Sequence, residues 1–547
     1  MPLHAPRTHL ATHEVTNQPP DLGDLNLFSS DIALRAAALR EGGAWLEPPL
    51  AALGAEAGSE HMRALGEAAN RTPPELATFD RFGRRIDEVR FHPAYHTLME
   101  AAMRHRIHAI GWNGQPGAHV AHAAMLALAT QAEAGTMCPI SMTYASVAAL
   151  RHAPDLAAAW VPQILGGSYD PALRPVADKR GVTLGMAMTE KQGGSDVRAN
   201  TTRAEPCGDG MWVLTGHKWF CSAPMSDAFL TLAQTGDGLS SFLVPRIAPD
   251  GSRNAIHLMR LKDKLGNRSN ASAEIEYAGA VAHPVGPPGR GVATILDMVH
   301  HTRLDTMAAT LGIMRMALLQ AAHHASHRHA FRKRLIDHAA MRAVLADLAL
   351  EYEAASILLT RVARAFDSPP GPGRAFARLA VALGKFRLCK RNPGFVAECL
   401  ECLGGAGYVE ESVLPRLYRE APLNGIWEGA GNVIALDVLR TLAREPGSLD
   451  AWRAEIAAAH GGNATLDAAM AALETSLPHA DESRARAVAE RMAVLLQAAL
   501  LVRHAPHAIA DLFCATRLGG EGGASYGTLP GGVDVAAVVG RILPGIG

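Results

Sequence analysis

The chain has 547 residues, 48% of them apolar and 19% charged, a composition that buries a sizeable core in several domains and excludes both a single small module and a disordered chain. Lys plus Arg (52) balances Asp plus Glu (53), so no global positive field holds the chain on nucleic acid or acidic lipid, and any DNA contact must come from a local patch. The seven cysteines, at 138, 207, 221, 389, 399, 402 and 514, are odd in number and scattered. They read as reduced thiols of a cytoplasmic protein rather than a secreted disulfide framework. Residues 1 to 28 lack a basic stretch followed by an apolar one, and no run of about 18 apolar residues occurs, so neither a secretory leader nor a membrane span is expected.

After an N-terminal extension at 1–30, the stretch 31–180 is Ala-rich with apolar residues at three and four spacing, as in AALRHAPDLAAAW, and predicts a helical domain. Loop residues gather between Gly166 and Gly181. Strand-like runs follow, GVTLGMAMT, WVLTGHKWF, AFLTLAQT, SSFLVPR and SAEIEY, predicting a β domain over 181–285 whose last clear strand ends near Tyr277. Helical periodicity returns over 286–440, where Gly291 to Arg364 and Ala375 to Leu403 are divided by the turn DSPPGPG; these predict an antiparallel bundle. Further amphipathic segments fill 441–517, the clearest from Glu482 to His504 with Val488, Met492, Leu495, Leu496 and Ala499 on one face. A Gly-rich tail at 518–547 is expected to be mobile. The fold class is thus α+β: an N-terminal helical domain, a middle β domain, a C-terminal helical bundle and an extra helical C-terminal region, with a groove where the sheet meets the helices.

Four segments carry chemistry, each with a bland reading when taken alone. In MAMTEKQGGSD, Met186 to Asp196, Gly193 and Gly194 let backbone amides approach a phosphate or ring edge and Thr189 and Ser195 can donate to it; alone it is a polar hairpin. In GHKWFCS, Gly216 to Ser222, an aromatic pair leads to a hydroxyl; alone it is core. GGAGY, Gly404 to Tyr408, ends a helix and alone is a glycine cap. In IWEGAGN, Ile426 to Asn432, Trp427 can desolvate Glu428 and Gly429 lets a substrate approach; alone it is a loop carboxylate.

In this order and spacing the four segments resemble the acyl-CoA dehydrogenase family over about residues 30 to 440. LKDKLGNRSN at 261 to 270, LPRLYRE at 414 to 420 and the additional hundred or so C-terminal residues are similar to its AidB-type subgroup, homotetrameric flavoproteins of the adaptive response to DNA alkylation, related to isovaleryl-CoA dehydrogenase, with weak dehydrogenase activity and DNA binding. The resemblance implies FAD, with Met186, Met188, Thr189, Gly193, Gly194 and Ser195 along the flavin and pyrophosphate, Phe220, Cys221 and Ser222 at the isoalloxazine, and Ile426, Trp427, Gly429, Gly431 and Asn432 in the loop over it. Gly404, Gly405, Gly407 and Arg328 would meet the FAD of a neighbouring subunit. Glu428 matches the family's catalytic base, taking the proton alpha to a thioester carbonyl as hydride leaves the beta carbon for flavin N5. The other base position used in the isovaleryl-type branch, just before Arg303, is Thr302 here.

Two departures stand out. The R-x-x-F-G motif is Arg328-His329-Ala330-Phe331-Arg332, with Arg in place of Gly, a change that either adds a phosphate contact or blocks a close approach. Residues 441–547 hold eight Arg and no Lys against eleven acids, a net charge of −3; only Arg440 and Arg517 match basic positions of the subgroup's DNA-binding region, so double-stranded DNA is expected to bind weakly. The expected function is dehydrogenation of an acyl-CoA-like substrate, with electron-transfer flavoprotein a candidate acceptor. The alternative is a DNA-associated flavoprotein with vestigial activity, and a lesser one is an oxidase, whose base would be Asp. Cys399-x-x-Cys402 and the histidines at 323, 324, 327 and 329 read as a buried helix face and solvated helix residues, and no metal is expected.

Overall fold

The computed structural model describes residues 5–543. Its first layer contains seven α-helices: Ile32–Gly42 (α1), Glu47–Ala57 (α2), Glu60–Arg71 (α3), Pro93–Arg104 (α4), Ala118–Ala132 (α5), Met137–Leu150 (α6) and Pro154–Ile164 (α7). Their starts are written locally, as where the Asp31 and Ser59 side chains accept from the Leu34 and Met62 N–H groups. α5 and α6 are buried on almost every side, which their alanines allow. A hairpin not expected here, Glu75–Phe79 (β1) against Arg85–Arg90 (β2), is turned by Asp80, whose carboxylate accepts from the Phe82 and Arg84 N–H groups. Its strands are short and charged, which hid their period.

The β domain holds Leu184–Ala187 (β3), Arg203–Gly208 (β4), Met211–Ser222 (β5), Ala228–Thr235 (β6), Gly238–Pro245 (β7), Ile256–Leu261 (β8) and Ser272–Val285 (β9). The order β6-β4-β5-β9-β7 closes into a ring because β7 also pairs with β6, while β3 lies parallel on β6 and β8 antiparallel on β9. β4 and β8 were not expected, and β9 continues past Tyr277 through AGAVAHPV, where small residues dilute the alternation.

The helical bundle is built on Gly291–His327 (α8), Ala339–Phe366 (α9) and Pro372–Glu401 (α10). Between α8 and α9 the expected helix breaks at a tight hairpin, His329–Ala330 (β10) with Lys333–Arg334 (β11). Short helices Gly405–Tyr408 (α11) and Leu414–Glu420 (α12) precede Gly431–Arg444 (α13), followed by Pro446–Ala457 (α14), Ala464–Ser476 (α15), Ala485–His504 (α16) and His507–Phe513 (α17). The five residues expected on the apolar face of α16 are all buried, and Leu495 and Leu496, at 0% exposure, each contribute about 1.5 to 3 kcal/mol.

The glycine-rich tail is corrected by the structure: as far as 543 it packs along α9. The Gly527 N–H donates to Asp347 Oδ2 at 2.9 Å, Arg541 grips both oxygens of Glu353, and Val538, Val539 and Ile542 around Val535–Val539 (α18) are buried. The apolar run VAAVV and these clamps outweigh the entropy of the glycines. Residues 544–547 lie outside the described residues. Among the described residues, no helix is long and apolar enough to cross a membrane.

Candidate active site

Glu428 sits between the turn Leu423–Gly425 and α13, at φ +59°, a left-handed conformation that costs a non-glycine residue on the order of 1 kcal/mol or more. Two buried side chains hold it there. Lys385, on α10, donates to the carbonyls on either side, Trp427 O at 2.8 Å and Gly429 O, and Arg303 Nε donates to Glu428 O at 3.1 Å. Arg303 is itself fixed by Asp437 at 2.8 Å. The indole of Trp427 donates to Asn424 Oδ1 at 2.9 Å and packs in one apolar cluster with Met186 and Met188.

The Glu428 carboxyl is 2.8 Å from Thr302 Oγ1, which also lies 3.1 Å from Val299 O. This hydroxyl serves both protonation states: it donates to an ionised Glu428, and it turns to Val299 O and accepts when Glu428 carries a proton. Burial pushes the carboxyl above the usual glutamate range, while Thr302, Lys385 and Arg303 pull it down. A desolvated carboxylate with an alternating hydroxyl partner is suited to accept a proton from carbon.

The first, second and fourth segments converge. Trp219 N–H donates to Thr189 O at 2.8 Å, tying β5 to the loop after β3. Ser222 Oγ lies 3.0 Å from Ser272 Oγ, which accepts from Lys264 Nζ at 3.0 Å; burial pushes that lysine down to about 8. Near Ser222 and Glu428 is the buried thiol of Cys138 at the start of α6, pushed up to about 12 by burial. Phe220 is 47% exposed and shares a face of β5 with Ser222. Cys221 points the other way into the sheet core at 0%, so only its backbone is available to a cofactor.

The glycines of the first segment are required by the geometry. Gly193 has φ +131°, and a Cβ at Gly194 would collide with Thr189 Oγ1. Glu190, fully buried, anchors the loop through Lys218 Nζ at 2.9 Å and the Thr201 and Thr202 N–H groups. Burial alone would raise its carboxyl; these donors hold it well below the carboxylate range. Ser195 is exposed beside them.

The remaining candidates lie apart from this convergence. Gly404 turns at φ +61° after α10, Gly405 faces open space, and Gly407 packs against Leu400 O. Arg328 donates to Asn17 O and Gln18 Oε1 of the N-terminal segment. Arg332 and Phe331 are both left-handed, at φ +66° and +50°, which accounts for a glycine in the family's motif; Phe331 projects at 91% exposure. On the far side of the loop, Gly431 packs on Lys390, Asn432 accepts from Arg486 of α16 at 2.8 Å, and Ile426 is 63% exposed.

Arg440 is exposed. Arg517, the other DNA-binding candidate, is partly buried and ion-paired with both Asp347 and Glu351, which neutralise its charge.

Lys385, Cys138 and Glu190 were not read from the sequence. A lone Lys within the apolar ALGKFRL, and a Glu and a Lys in the half-buried strands MTEK and GHKWF, were the available signals. Glu420 of LPRLYRE is another: buried, accepting from Asn267 N–H at 2.7 Å, it is raised from the ordinary 4.5 to about 7 by burial and then by Glu133, against Arg416 and Lys264. Between those pH values the folded chain keeps a proton that the unfolded chain has lost, so stability falls as pH rises, by up to roughly 3 kcal/mol from this group. Urea midpoints at pH 5 and 7 are expected to differ less in Glu420→Gln than in the parent; equal differences would remove Glu420 from the account.

Helical domain, closed β domain and helical bundle, with a desolvated glutamate at their junction, define the acyl-CoA dehydrogenase class of protein. Known families match in that order: the adaptive response protein AidB N-terminal domain over residues 17–171, the acyl-CoA dehydrogenase middle domain over 185–280 and its C-terminal domain over 289–443. AidB of Escherichia coli (strain K12) is 46% identical over 94% of this chain and 96% of its own length, and acyl-CoA dehydrogenase family member 11 of Caenorhabditis elegans is 30% identical over 81% and 77%. The crystal structure of Caenorhabditis elegans ACDH-11 in complex with C11-CoA superposes with a TM-score of 0.83 at 26% identity, covering 98% of this chain and 93% of that one. The chain belongs to the acyl-CoA dehydrogenase family, in its AidB-type branch.

Proposed function

We propose that the protein dehydrogenates an acyl-CoA thioester between its alpha and beta carbons, with Glu428 as the base. The observation that carries this is the Glu428 carboxyl, desolvated, strained into place and hydrogen-bonded to Thr302. FAD is the cofactor of the family. The residues fit it: a Gly193–Gly194 cradle that side chains would fill, the free Ser195 hydroxyl, the exposed face of Phe220 and the Ser222 hydroxyl. Bound FAD supplies the two-electron redox chemistry.

The protein's own part is to position and to move the proton. Glu428 takes the alpha proton; Thr302 then exchanges its donor role for an acceptor one; Lys385 and Arg303 keep the loop from relaxing. Trp427 excludes water, without which a carboxylate is too weak a base for such a carbon acid. An acyl-CoA panel added anaerobically to the FAD-loaded protein tests the reading: bleaching of the flavin is expected with at least one thioester, and none with any would overturn it.

Replacing Ser195 or Ser222 by Ala should weaken FAD binding by about 0.5 to 3 kcal/mol; fluorescence titration giving parent affinity in both would show that these hydroxyls do not touch the cofactor. A cytoplasmic homotetramer is the proposed assembly, because Phe331, Gly404, Gly405 and Tyr408, in the segments that the resemblance assigns to a neighbouring subunit's FAD, are exposed. Light scattering at micromolar concentration should then give about four times 57.8 kDa, and a monomer would contradict it. Electron-transfer flavoprotein is the proposed acceptor. With Arg517 neutralised by Asp347 and Glu351, duplex DNA is left with Arg440 alone of the two candidates, which favours the dehydrogenase reading over a role in the alkylation response.

A further inference from the structure

Ser222 and Ser272 stand opposite each other on β5 and β9, and their hydroxyls form a short chain whose direction is set by a lysine. Lys264, in the loop between β8 and β9, has three ammonium protons and three acceptors for them: the Asn270 carbonyl oxygen at 2.6 Å, Ser272 Oγ at 3.0 Å and Asn267 Oδ1 at 3.5 Å. All three acceptors are neutral. The carboxylates that act on this lysine, Glu133 and Glu420, are held elsewhere, by the Ser269 hydroxyl and the Asn267 N–H. The ammonium is thus a partly buried cation without an ion-pair partner, an arrangement that costs desolvation energy with no salt bridge to offset it.

An ammonium only donates, so Ser272 Oγ accepts from Lys264. Ser272 is 4% exposed, and among the described residues the one acceptor in reach of its own hydrogen is Ser222 Oγ, at 3.0 Å. Ser272 therefore donates to Ser222. The opposite direction, with Ser222 donating inward, would leave the buried Ser272 hydrogen without an acceptor. Ser222 Oγ makes no other hydrogen bond among the described residues, and the Cys138 thiol nearby is too weak an acceptor to hold it. The Ser222 hydrogen is left for a group outside the chain. Each bond in such a series polarises the next, so the lysine's charge makes Ser222 a stronger donor than a serine on its own.

We propose that Lys264 and Ser272 are positioning residues that fix Ser222 as a hydrogen-bond donor to the isoalloxazine of bound FAD and, through that donor, raise the reduction potential of the flavin. This rests on the reading of Ser222 as a flavin contact. A ring that has gained two electrons accepts a hydrogen bond more strongly than the oxidised ring, so a donor already held in place favours the reduced form. A hydroxyl free to rotate would first have to be oriented. Lys264 and Ser272 remove that step without touching the substrate.

The test is the two-electron midpoint potential of the full-length FAD-loaded protein, measured by spectroelectrochemistry without substrate. Lys264→Met should shift the oxidised–reduced equilibrium about tenfold toward the oxidised form, a fall of about 30 mV for a two-electron couple. Lys264→Arg, which keeps the charge and the donors, should restore most of it. Ser272→Ala should move the potential the same way, and it serves if Lys264→Met does not load with FAD. A double-mutant cycle then isolates the relay: with Ser222→Ala already in place, Lys264→Met should move the potential no further. A fall of equal size in both backgrounds would show that the lysine acts directly by its charge, and parent potentials in FAD-loaded Lys264→Met and Ser272→Ala would show that it only holds the loop. Either result overturns the proposal. If Ser222→Ala alone leaves FAD affinity and potential at parent values, the reading of Ser222 as a flavin contact fails and the proposal with it. A shifted Ser222→Ala beside unmoved Lys264 and Ser272 variants leaves that reading standing and removes the relay.

Discussion

Glu428→Gln is expected to keep FAD bound and to slow flavin reduction by the best acyl-CoA by about 100- to 10,000-fold. The substitution keeps the volume, and the carboxamide oxygen still accepts from Thr302 Oγ1, so the loop and its left-handed turn should persist. What is lost is the capacity to accept a proton from carbon. Thr302 cannot take over, since a hydroxyl is a far weaker base, and the nearest other ionisable groups do not suit: Cys138 is held as a thiol by burial and Lys385 is committed to two carbonyls. Anaerobic stopped-flow absorbance measures the rate. A variant within about tenfold of the parent, a difference of only about 1.4 kcal/mol in barrier, would mean that another group is the base or that the chemistry is not alpha, beta dehydrogenation.

The layer order was legible because period and composition change sharply along the chain, from Ala-rich helix to β-branched strand and back. What escaped was set by tertiary context. β1 and β2 are charged strands whose pairing with each other is invisible locally, and the break between α8 and α9 depends on two non-glycine residues in the left-handed region, Phe331 and Arg332, which nothing in their identity announces. The tail shows the opposite error: glycine content spoke for mobility, yet Gly527 and Arg541 are fastened to α9 and Tyr526 packs on Arg391 and Phe395 of α10, all partners more than a hundred residues away.

At the site, the motif residues proposed to act chemically were named by the resemblance, and the residues that hold them were not. The resemblance picks out Glu428 and Ser222, whereas Thr302 as the glutamate's hydroxyl partner, Lys385 as its clamp and Cys138 nearby come from α8, α10 and α6. A single sequence carries no record of such meetings. Arg517 illustrates the reverse: its position suggested DNA, but Asp347 and Glu351, which neutralise it, lie on a helix far earlier in the chain.

Lys385→Met is expected to lower the flavin-reduction rate by about 100-fold, the cost of misplacing a reacting group by about 1 Å, while changing thermal stability little. Lys385 is 1% exposed, and burial pushes its ammonium down to about 8, so its presence costs the fold desolvation energy. Methionine removes that cost and fills the same space. Against this gain, the Trp427 and Gly429 carbonyls lose their donor, at about 1 to 3 kcal/mol for a buried polar group left unpaired. The two effects oppose each other in global stability, but not at the loop. Glu428 stays at φ +59° only while its flanking carbonyls are held, and Arg303 alone grips just the Glu428 carbonyl. With the clamp gone the turn relaxes toward ordinary dihedrals and carries the carboxylate away from the substrate carbon. Calorimetry and stopped-flow absorbance on the same FAD-loaded preparation separate the two effects. A large fall in melting temperature with a parent-like reduction rate would show that Lys385 serves the fold and not the base.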